Sequence, residues 1–410
     1  MVQAIAARSA TERGQDAPVE LAARVESDWV RELMEWHFNP DTGSPFWLAK
    51  AASLDFDPRG DVQCVADLVR FPDVSSDLRD VRVEQLVPKG IREGTPRVFE
   101  SGGTTGRPKR IVDFTAWDEE AMATNTALDE HAFPAQGNWL YVGPTGPHVM
   151  AYIVARVARL RAGAVLSLDF DPRWVKQALR AGQHSVAEAY VAHILEQAHD
   201  ILQDQQIATA VFTPPILVAA ARRTRLVRLL DRVSAIMWAG TSISPETLRL
   251  LEADIFPGIK FAGQYGNTVM GATVQRPRAD DDPARCVFRS LCPRAHVDVV
   301  DFADPTRLVA YGARGRVRVH RLTRDMFLPN MLERDSAIRV ARVDGDDDLA
   351  DVRPCSPDEL SSADADRADT MSSSTIPYAP GGAYANGSYE AYGDYGGGAY
   401  SGGAYVEGVY

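Results

Sequence analysis

Lysine is scarce in this 410-residue chain: Lys50, Lys89, Lys109, Lys176 and Lys260 are all there is, and none follows Lys260. Cysteine is scarcer still. Cys64, Cys286, Cys292 and Cys355 show no Cys-x-x-Cys spacing, so they point to neither a zinc site nor a disulfide framework. Reduced thiols in a cytoplasmic protein are the simple expectation. No apolar run reaches the roughly 18 residues that span a membrane as a helix, and Met1 to Arg13 lacks an apolar stretch with a small-residue cleavage site, so no secretory signal is expected. Positive charge is not in excess. The formal net charge is −12, which argues against nonspecific nucleic-acid binding.

Hydrophobic residues make up 45% and charged residues 24% of the chain, enough for a large buried core. The negative charge is concentrated at one end: Pro354 to Tyr410 carries eight acidic residues, one Arg and eight tyrosines among Gly, Ala and Ser. Such a composition offers little aliphatic surface against the entropy of ordering. Three segments are therefore expected: a flexible start over 1–17, a core over 18–352 and a disordered acidic tail over 353–410.

Within the core, a helix is predicted from Pro18 to about Asn39, with Leu21, Val25, Trp29 and Leu33 on one face and Pro40 ending it. The aromatic group Phe46-Trp47-Leu48 reads as core packing. Further on, strands and helices alternate. Trp139–Gly143, Thr209–Thr213, Ser234–Trp238 and Ile259–Gly263 read as strands, the last ending in a turn at Gln264-Tyr265-Gly266. Ser185 with Glu188 reads as a capping box opening a helix, and Ser244-Pro245 as an N-cap followed by a first-turn proline. This order predicts a largely parallel sheet covered by helices, with ligands at the carboxyl ends of its strands. From Cys286 to Val340 shorter alternating strands predict a small β subdomain.

One stretch is more specific. From Ser101 to Lys109 the chain reads Ser-Gly-Gly-Thr-Thr-Gly-Arg-Pro-Lys. Glycines turn the backbone tightly and admit a ligand close to it, successive N–H groups form an anion site, and hydroxyls with a terminal ammonium complete a phosphate grip. It is not the Walker pattern, which needs Gly-Lys-Ser/Thr at a helix start. It resembles the phosphate loop of the adenylate-forming superfamily: acyl-CoA synthetases, luciferases and peptide-synthetase adenylation domains. Four other segments resemble that superfamily in the same order. These are Pro144 to His148 beside the acyl pocket, Ala239 to Glu246 framing adenine, Gln264-Tyr265-Gly266-Asn267-Thr268, and Gly312 through Asp335, which ends in Leu332-Glu333-Arg334-Asp335.

The resemblance implies an α/β fold, the large N-terminal domain of adenylate-forming enzymes with helix-covered mixed sheets plus a small β subdomain. It implies ATP-dependent activation of a carboxylic acid as acyl-AMP. Ser101, Gly102, Gly103, Thr104, Thr105, Gly106 and Lys109 would hold the phosphates. Ala239, Gly240, Thr241, Gln264, Tyr265, Gly266 and Asn267 would surround the adenine, with Tyr265 stacked on it, and Asp335 would take the ribose hydroxyls. Thr268 and His148 would meet the α-phosphate and the carboxylate. Phe212, Trp238 and Met270 are the expected acid pocket, although core packing accounts for them equally well.

Two departures stand out. Val269 occupies the place of a Glu that helps to hold Mg²⁺ in the family, and a Val offers no oxygen ligand. Mg²⁺ is therefore expected to arrive on the ATP phosphates, with no protein metal site. The mobile C-terminal lid, which brings a lysine to the reacting carboxylate, is also expected to be absent. Slow or partner-dependent turnover follows, since losing such a cation costs on the order of 10²–10³ in rate. The segment from Trp36 to Leu48 and the missing lid resemble the lidless adenylating proteins of phenazine antibiotic (D-alanylgriseoluteic acid) biosynthesis, and next the phenylacetate–CoA ligases. An aromatic acid, phenazine-like or benzoate-like, in antibiotic biosynthesis is the implied substrate. The implied partners are an acceptor protein or partner enzyme, with neither nucleic acid nor membrane; the oligomeric state is open, a dimer being one option. The competing reading is a catalytically impaired scaffold that binds nucleotide or acyl-adenylate.

Overall fold

Short apolar strands, each closed by a proline or glycine, assemble the main sheet. The computed structural model describes residues 26–102, 107–289, 294–342 and 347–360, all within one compact unit. The 1–17 segment and the part of the tail beyond residue 360 lie outside these residues. A hairpin, β1 (Arg97–Glu100) and β2 (Arg110–Asp113), carries the glycine-rich loop at its tip. Then come β3 (Asn138–Gly143), β4 (Val165–Asp169), β5 (Ile207–Phe212), β6 (Ala235–Ala239), β7 (Lys260–Asn267) and β8 (Gly271–Val274). They form one sheet in the order β4-β3-β5-β6-β7-β8. All neighbours are parallel except β7 and β8.

The strands β5 and β6 are apolar on both faces, as strands covered by helices on each side must be. Pro214 and Pro215 stop β5 and open the next helix. The helix Pro245–Leu250 begins as expected, with Ser244 Oγ accepting from Thr247 N. The helix His184–Asp204 begins one residue before Ser185, at N-cap Gln183 and without a side-chain cap, so the capping box does not form. On this helix Ile194, Leu195, Ala198 and Leu202 are buried, while Val191 and Ile201 are half-buried.

A second sheet is antiparallel. It comprises β9 (Val287–Arg289), β10 (Ala295–Val300), β11 (Arg314–Leu322), β12 (Phe327–Ala341) and β13 (Asp347–Pro354), in the order β10-β11-β12-β13-β9. This is the small β subdomain. Packing continues past residue 352: Cys355 N donates to Arg334 O at 2.8 Å, Arg353 pairs with Glu359 at 2.8 Å, and Leu360 is buried.

The first described helix, residues 26–38, buries Val30, Leu33, Met34 and His37. That face is displaced from the expected one, because a grip on the β11–β12 connection sets it. Trp29 Nε1 donates to Leu322 O (2.9 Å), His37 Nε2 meets Thr323 O (2.8 Å) and Trp47 Nε1 donates to Phe327 O (2.8 Å). Phe38, Trp47, Phe71 and Phe327 pack ring against ring there. The same connection supplies Asp325, whose Oδ2 accepts from Phe114 N (2.7 Å), Thr115 N (2.7 Å) and Ala116 N (3.2 Å). These are orphan donors at the start of the helix Ala116–Glu130, whose own N-cap Thr115 makes no side-chain bond. Asp325→Ala should therefore cost about 2–3 kcal/mol, read as a lower urea midpoint with unchanged slope. A loss under about 0.5 kcal/mol would show that water replaces the carboxylate.

Candidate active site

In a parallel sheet the ligand crevice lies where the strand order reverses. Here the chain leaves β3 for β4 on one side and later returns to β5 on the other. The crevice is bordered by the loop Pro144 to His148 after β3 and by Thr213 after β5, with Gly240 after β6 beside them. Gly240 sits at φ +92°, and a Cβ there would stand 3.5 Å from Thr213 Cγ2. The Thr213 hydroxyl is buried without a hydrogen-bond partner, at the very edge of this crevice.

Glu100, the last residue of β1, joins the loops. Its N–H donates to Pro147 O (2.9 Å), and its carbonyl accepts from Thr268 Oγ1 (3.1 Å). Its carboxylate is held by Arg110 Nε (3.2 Å) and Arg173 Nη1 (3.1 Å), while Arg173 Nη2 donates to Ser101 O (2.8 Å). Two bonds close the base of the glycine-rich loop: Ser101 N to Lys109 O (3.0 Å) and Lys109 N to Ser101 Oγ (2.9 Å). Thus Ser101, Lys109, Thr268 and the His148 loop meet around one residue. Gly103, Thr104, Thr105 and Gly106 fall outside the described residues. The Lys109 ammonium donates to Ser75 Oγ at 3.1 Å. Half-buried His148 is held below its usual pKa, first by burial and then by Arg173.

The other end of the site lies between the two sheets. Tyr265, on β7, donates its hydroxyl to Asp335 Oδ2 on β12 at 3.0 Å. Burial, then the Glu333 carboxylate, push the Asp335 carboxyl up to about 6, against the pull of the Tyr265 hydroxyl and Arg334. Burial and Asp335 drive the Tyr265 phenol well above its usual range. Gly266, at φ +149°, lies against β8, where a Cβ would stand 2.0 Å from Gly271 O.

With this geometry in hand, the solved structures are informative. The chain superposes on 2-hydroxyisobutyryl-CoA ligase in an open conformation with 2-HIB-AMP and CoA: TM-score 0.58, 13% identity, 80% of this chain and 68% of that one. Against the same ligase in its postadenylation state with 2-HIB-AMP the TM-score is 0.57, with 14% identity, 80% of this chain and 66% of that one. The fold is that of this acyl-CoA ligase. It is the fold of the large N-terminal domain of adenylate-forming enzymes. At 13–14% identity the likeness is one of fold. The chain spans about two thirds of the ligase's length. No family model and no curated protein matches the sequence.

On this ligase fold the remaining expected residues take different places. β7 does not end at Gln264 but runs to Asn267, because β8 pairs with it there. Strand alternation then puts Gln264 on the face opposite Tyr265, where its Nε2 donates to Thr124 Oγ1 (3.3 Å). Asn267 Oδ1 accepts from Val269 N (2.8 Å) and Met270 N (3.0 Å), which builds the turn into β8. Ala239 is buried, while Gly240 and Thr241 are exposed. Phe212, Trp238 and Met270 are all buried, at 1%, 4% and 2% exposure. Gly263 packs on the Trp238 ring, and Trp238 Nε1 has no partner. Val269 lies in the apolar cluster with Ile111, Val112 and Leu322. Among the described residues no His, Cys, Asp or Glu group is placed to hold a metal, and no helix is long and apolar enough to cross a membrane.

Glu100, Arg173 and Thr213 escape sequence reasoning. Glu100 adjoins the glycine-rich loop, and that adjacency was the available signal. Nothing in the sequence announces that Arg173 reaches back 72 residues to Ser101.

Proposed function

We propose that this chain uses ATP to activate a carboxylic acid as its acyl-adenylate. The observation that carries this reading is the Tyr265–Asp335 hydrogen bond, which joins the two residues assigned to adenine and ribose across two sheets. In this arrangement the ribose hydroxyls donate to Asp335, adenine lies by Tyr265 and Gly240, and the loop from Ser101 to Lys109 takes the phosphates. A carboxylate oxygen attacks the α-phosphorus in line, and pyrophosphate departs with the electron pair of the bond that breaks. Thr268 and His148 sit where the α-phosphate and the acid meet. Catalysis is mainly positioning. Mg²⁺ travels on the ATP phosphates, since Val269 is an apolar core residue.

In our reading the acid is aromatic, phenazine-like or benzoate-like, and the product enters antibiotic biosynthesis by transfer to an amine, a thiol or a reductase. The resemblance of the Trp36 to Leu48 segment to phenazine-acid and phenylacetate ligases supports this. Thr213 Oγ1 and Trp238 Nε1, both buried without a partner, are polar atoms that could recognise the acid. The second reading, a nucleotide-binding scaffold, is favoured by the burial of Val269. One assay separates them: ATP, Mg²⁺ and a panel of aromatic acids with hydroxylamine, followed by mass spectrometry. Acid-dependent AMP and hydroxamate support the ligase. Nucleotide binding without AMP release supports the scaffold and refutes the ligase.

A further inference from the structure

The helix Pro172–Arg180 forms one wall of the site, and no motif marks it. Asp171 caps it rigidly, its Oδ1 accepting from Arg173 N (2.8 Å) and Trp174 N (3.3 Å). Val175, Ala178 and Leu179 face the interior. Arg173, Lys176 and Arg180 recur at three- and four-residue spacing and share another face. At its start the helix borders the crevice: Asp169 Oδ1, just before it, accepts from Thr145 N (3.0 Å) and Thr145 Oγ1 (2.7 Å). There Arg173 holds Glu100 and Ser101, and its Nε is buried without a partner. One turn on, half-buried Lys176 lies within electrostatic reach of Arg334, the neighbour of Asp335. The helix therefore starts at the mouth of the glycine-rich loop, and Lys176 lies one turn further along the face that carries Arg173.

The proposed reaction brings two anions together, a carboxylate and a triphosphate. A cation is needed at their meeting point. Lys109, the other lysine at the site, has its ammonium on Ser75 at the loop base.

We propose that this helix is the site's own cation carrier: Arg173 positions the mouth of the glycine-rich loop, and Lys176 is a catalytic residue that meets the α-phosphate and the attacking carboxylate. The inference rests on the adenylation reading. Lys176 keeps its proton throughout; the P–O bond to the acid forms as the bond to pyrophosphate breaks, and no proton moves. Burial first, then Arg180 and Arg334, hold the Lys176 ammonium below its ordinary pKa. On the same side Glu333 and Asp335 flank Arg334 with negative charge. The alkaline limb of kcat/KM, which reports the free enzyme, should therefore lie at a lower pH than for an ordinary lysine, and bound anion should move the limb of kcat back up.

The test compares wild type, Lys176→Met, Lys176→Arg and Arg173→Lys in hydroxamate formation and in binding of ATP and adenosine, with thermal melts as the check on folding. Lys176→Met should lower kcat by roughly 10²–10³-fold and weaken ATP more than adenosine. Lys176→Arg should recover part of kcat and lose the alkaline limb. Arg173→Lys should raise KM for ATP more than it lowers kcat. A Lys176→Met enzyme with wild-type kcat, alkaline limb and ATP affinity would overturn the proposal while leaving adenylation intact. A wild type that forms no hydroxamate overturns adenylation; the cation role then survives as anion recognition if Lys176→Met still weakens ATP and not adenosine. A wild type that binds neither ligand overturns both.

Discussion

Asp335→Asn should weaken AMP binding by roughly 100-fold, about 3 kcal/mol, and leave the protein folded. The change keeps size and an oxygen for the Tyr265 hydroxyl, but removes the charge that, in the proposed function, would receive two ribose hydroxyls. The pH dependence follows from the same group. Its carboxyl titrates at about 6, and the charged form is the one that binds. Wild-type affinity should be flat above pH 7 and should fall as pH drops through 6; the Asn variant should show no such fall. The sign for stability is opposite. A carboxyl raised above its unfolded value destabilises the fold when ionised, and that penalty is lost as pH falls through 6. Asp335→Asn should therefore melt no lower than wild type at pH 7.5. Calorimetric titration of adenosine, which carries no phosphate titrating at about pH 6, checks the pH dependence between pH 5 and 8. An Asn variant that binds AMP as tightly as wild type would remove Asp335 from the nucleotide site.

Arg321→Ala should cost about 3–5 kcal/mol. Arg321 and Glu120 form an ion pair with both side chains only 3% exposed. Glu120 Oε2 also accepts from Ala272 N (3.0 Å), and the Arg321 guanidinium lies 4.9 Å from the Trp117 ring centre. The pair ties β11 to the helix Ala116–Glu130 and to β8, where Gly271 at φ +104° leaves no room for a Cβ beside Arg321 Nη1. Removing one partner strands a buried charge; replacing both by methionine does not. The double variant Glu120→Met with Arg321→Met should recover most of the loss. Urea unfolding of the single and double variants measures the coupling. A single-variant cost below about 1 kcal/mol would show that water reaches Glu120.

The main sheet was legible because buried strands and capped helices announce themselves through apolar runs, Pro215 after β5 and Ser244-Pro245. β4 was not. Its residues are half-buried at the sheet edge, and such a strand has no continuous apolar run to read. β7 was cut short because Gln264-Tyr265-Gly266 reads locally as a turn, whereas the antiparallel ladder with β8 carries the strand through it to Asn267. The helix over residues 26–38 centres its buried face on Val30, Leu33, Met34 and His37 with Trp29 half-buried at its edge, since His37 and Trp29 reach the carbonyls of Thr323 and Leu322 far along the chain. At the site, motif residues were visible as local strings. Tyr265 with Asp335, and Thr268 with the base of the glycine-rich loop, do come together as those strings implied. Glu100 with Arg173 did not show, because a charge pair between distant segments leaves no periodicity. Val269 was noted as a missing ligand, and its burial with Ile111 and Leu322 gives the physical reason for its apolar character.

The reach of Asp325 and of the indole donors has a consequence for synthesis. On the ribosome, the cluster of Phe38, Trp47 and Phe71 emerges hundreds of residues before Phe327, and the start of the helix Ala116–Glu130 emerges about 200 residues before Asp325. Until the β11–β12 connection arrives, the nascent chain exposes an aromatic surface and three amides that only water caps. Chains stalled before residue 322 should need a holding chaperone, and those released after residue 360, with β13 paired between β12 and β9, should not.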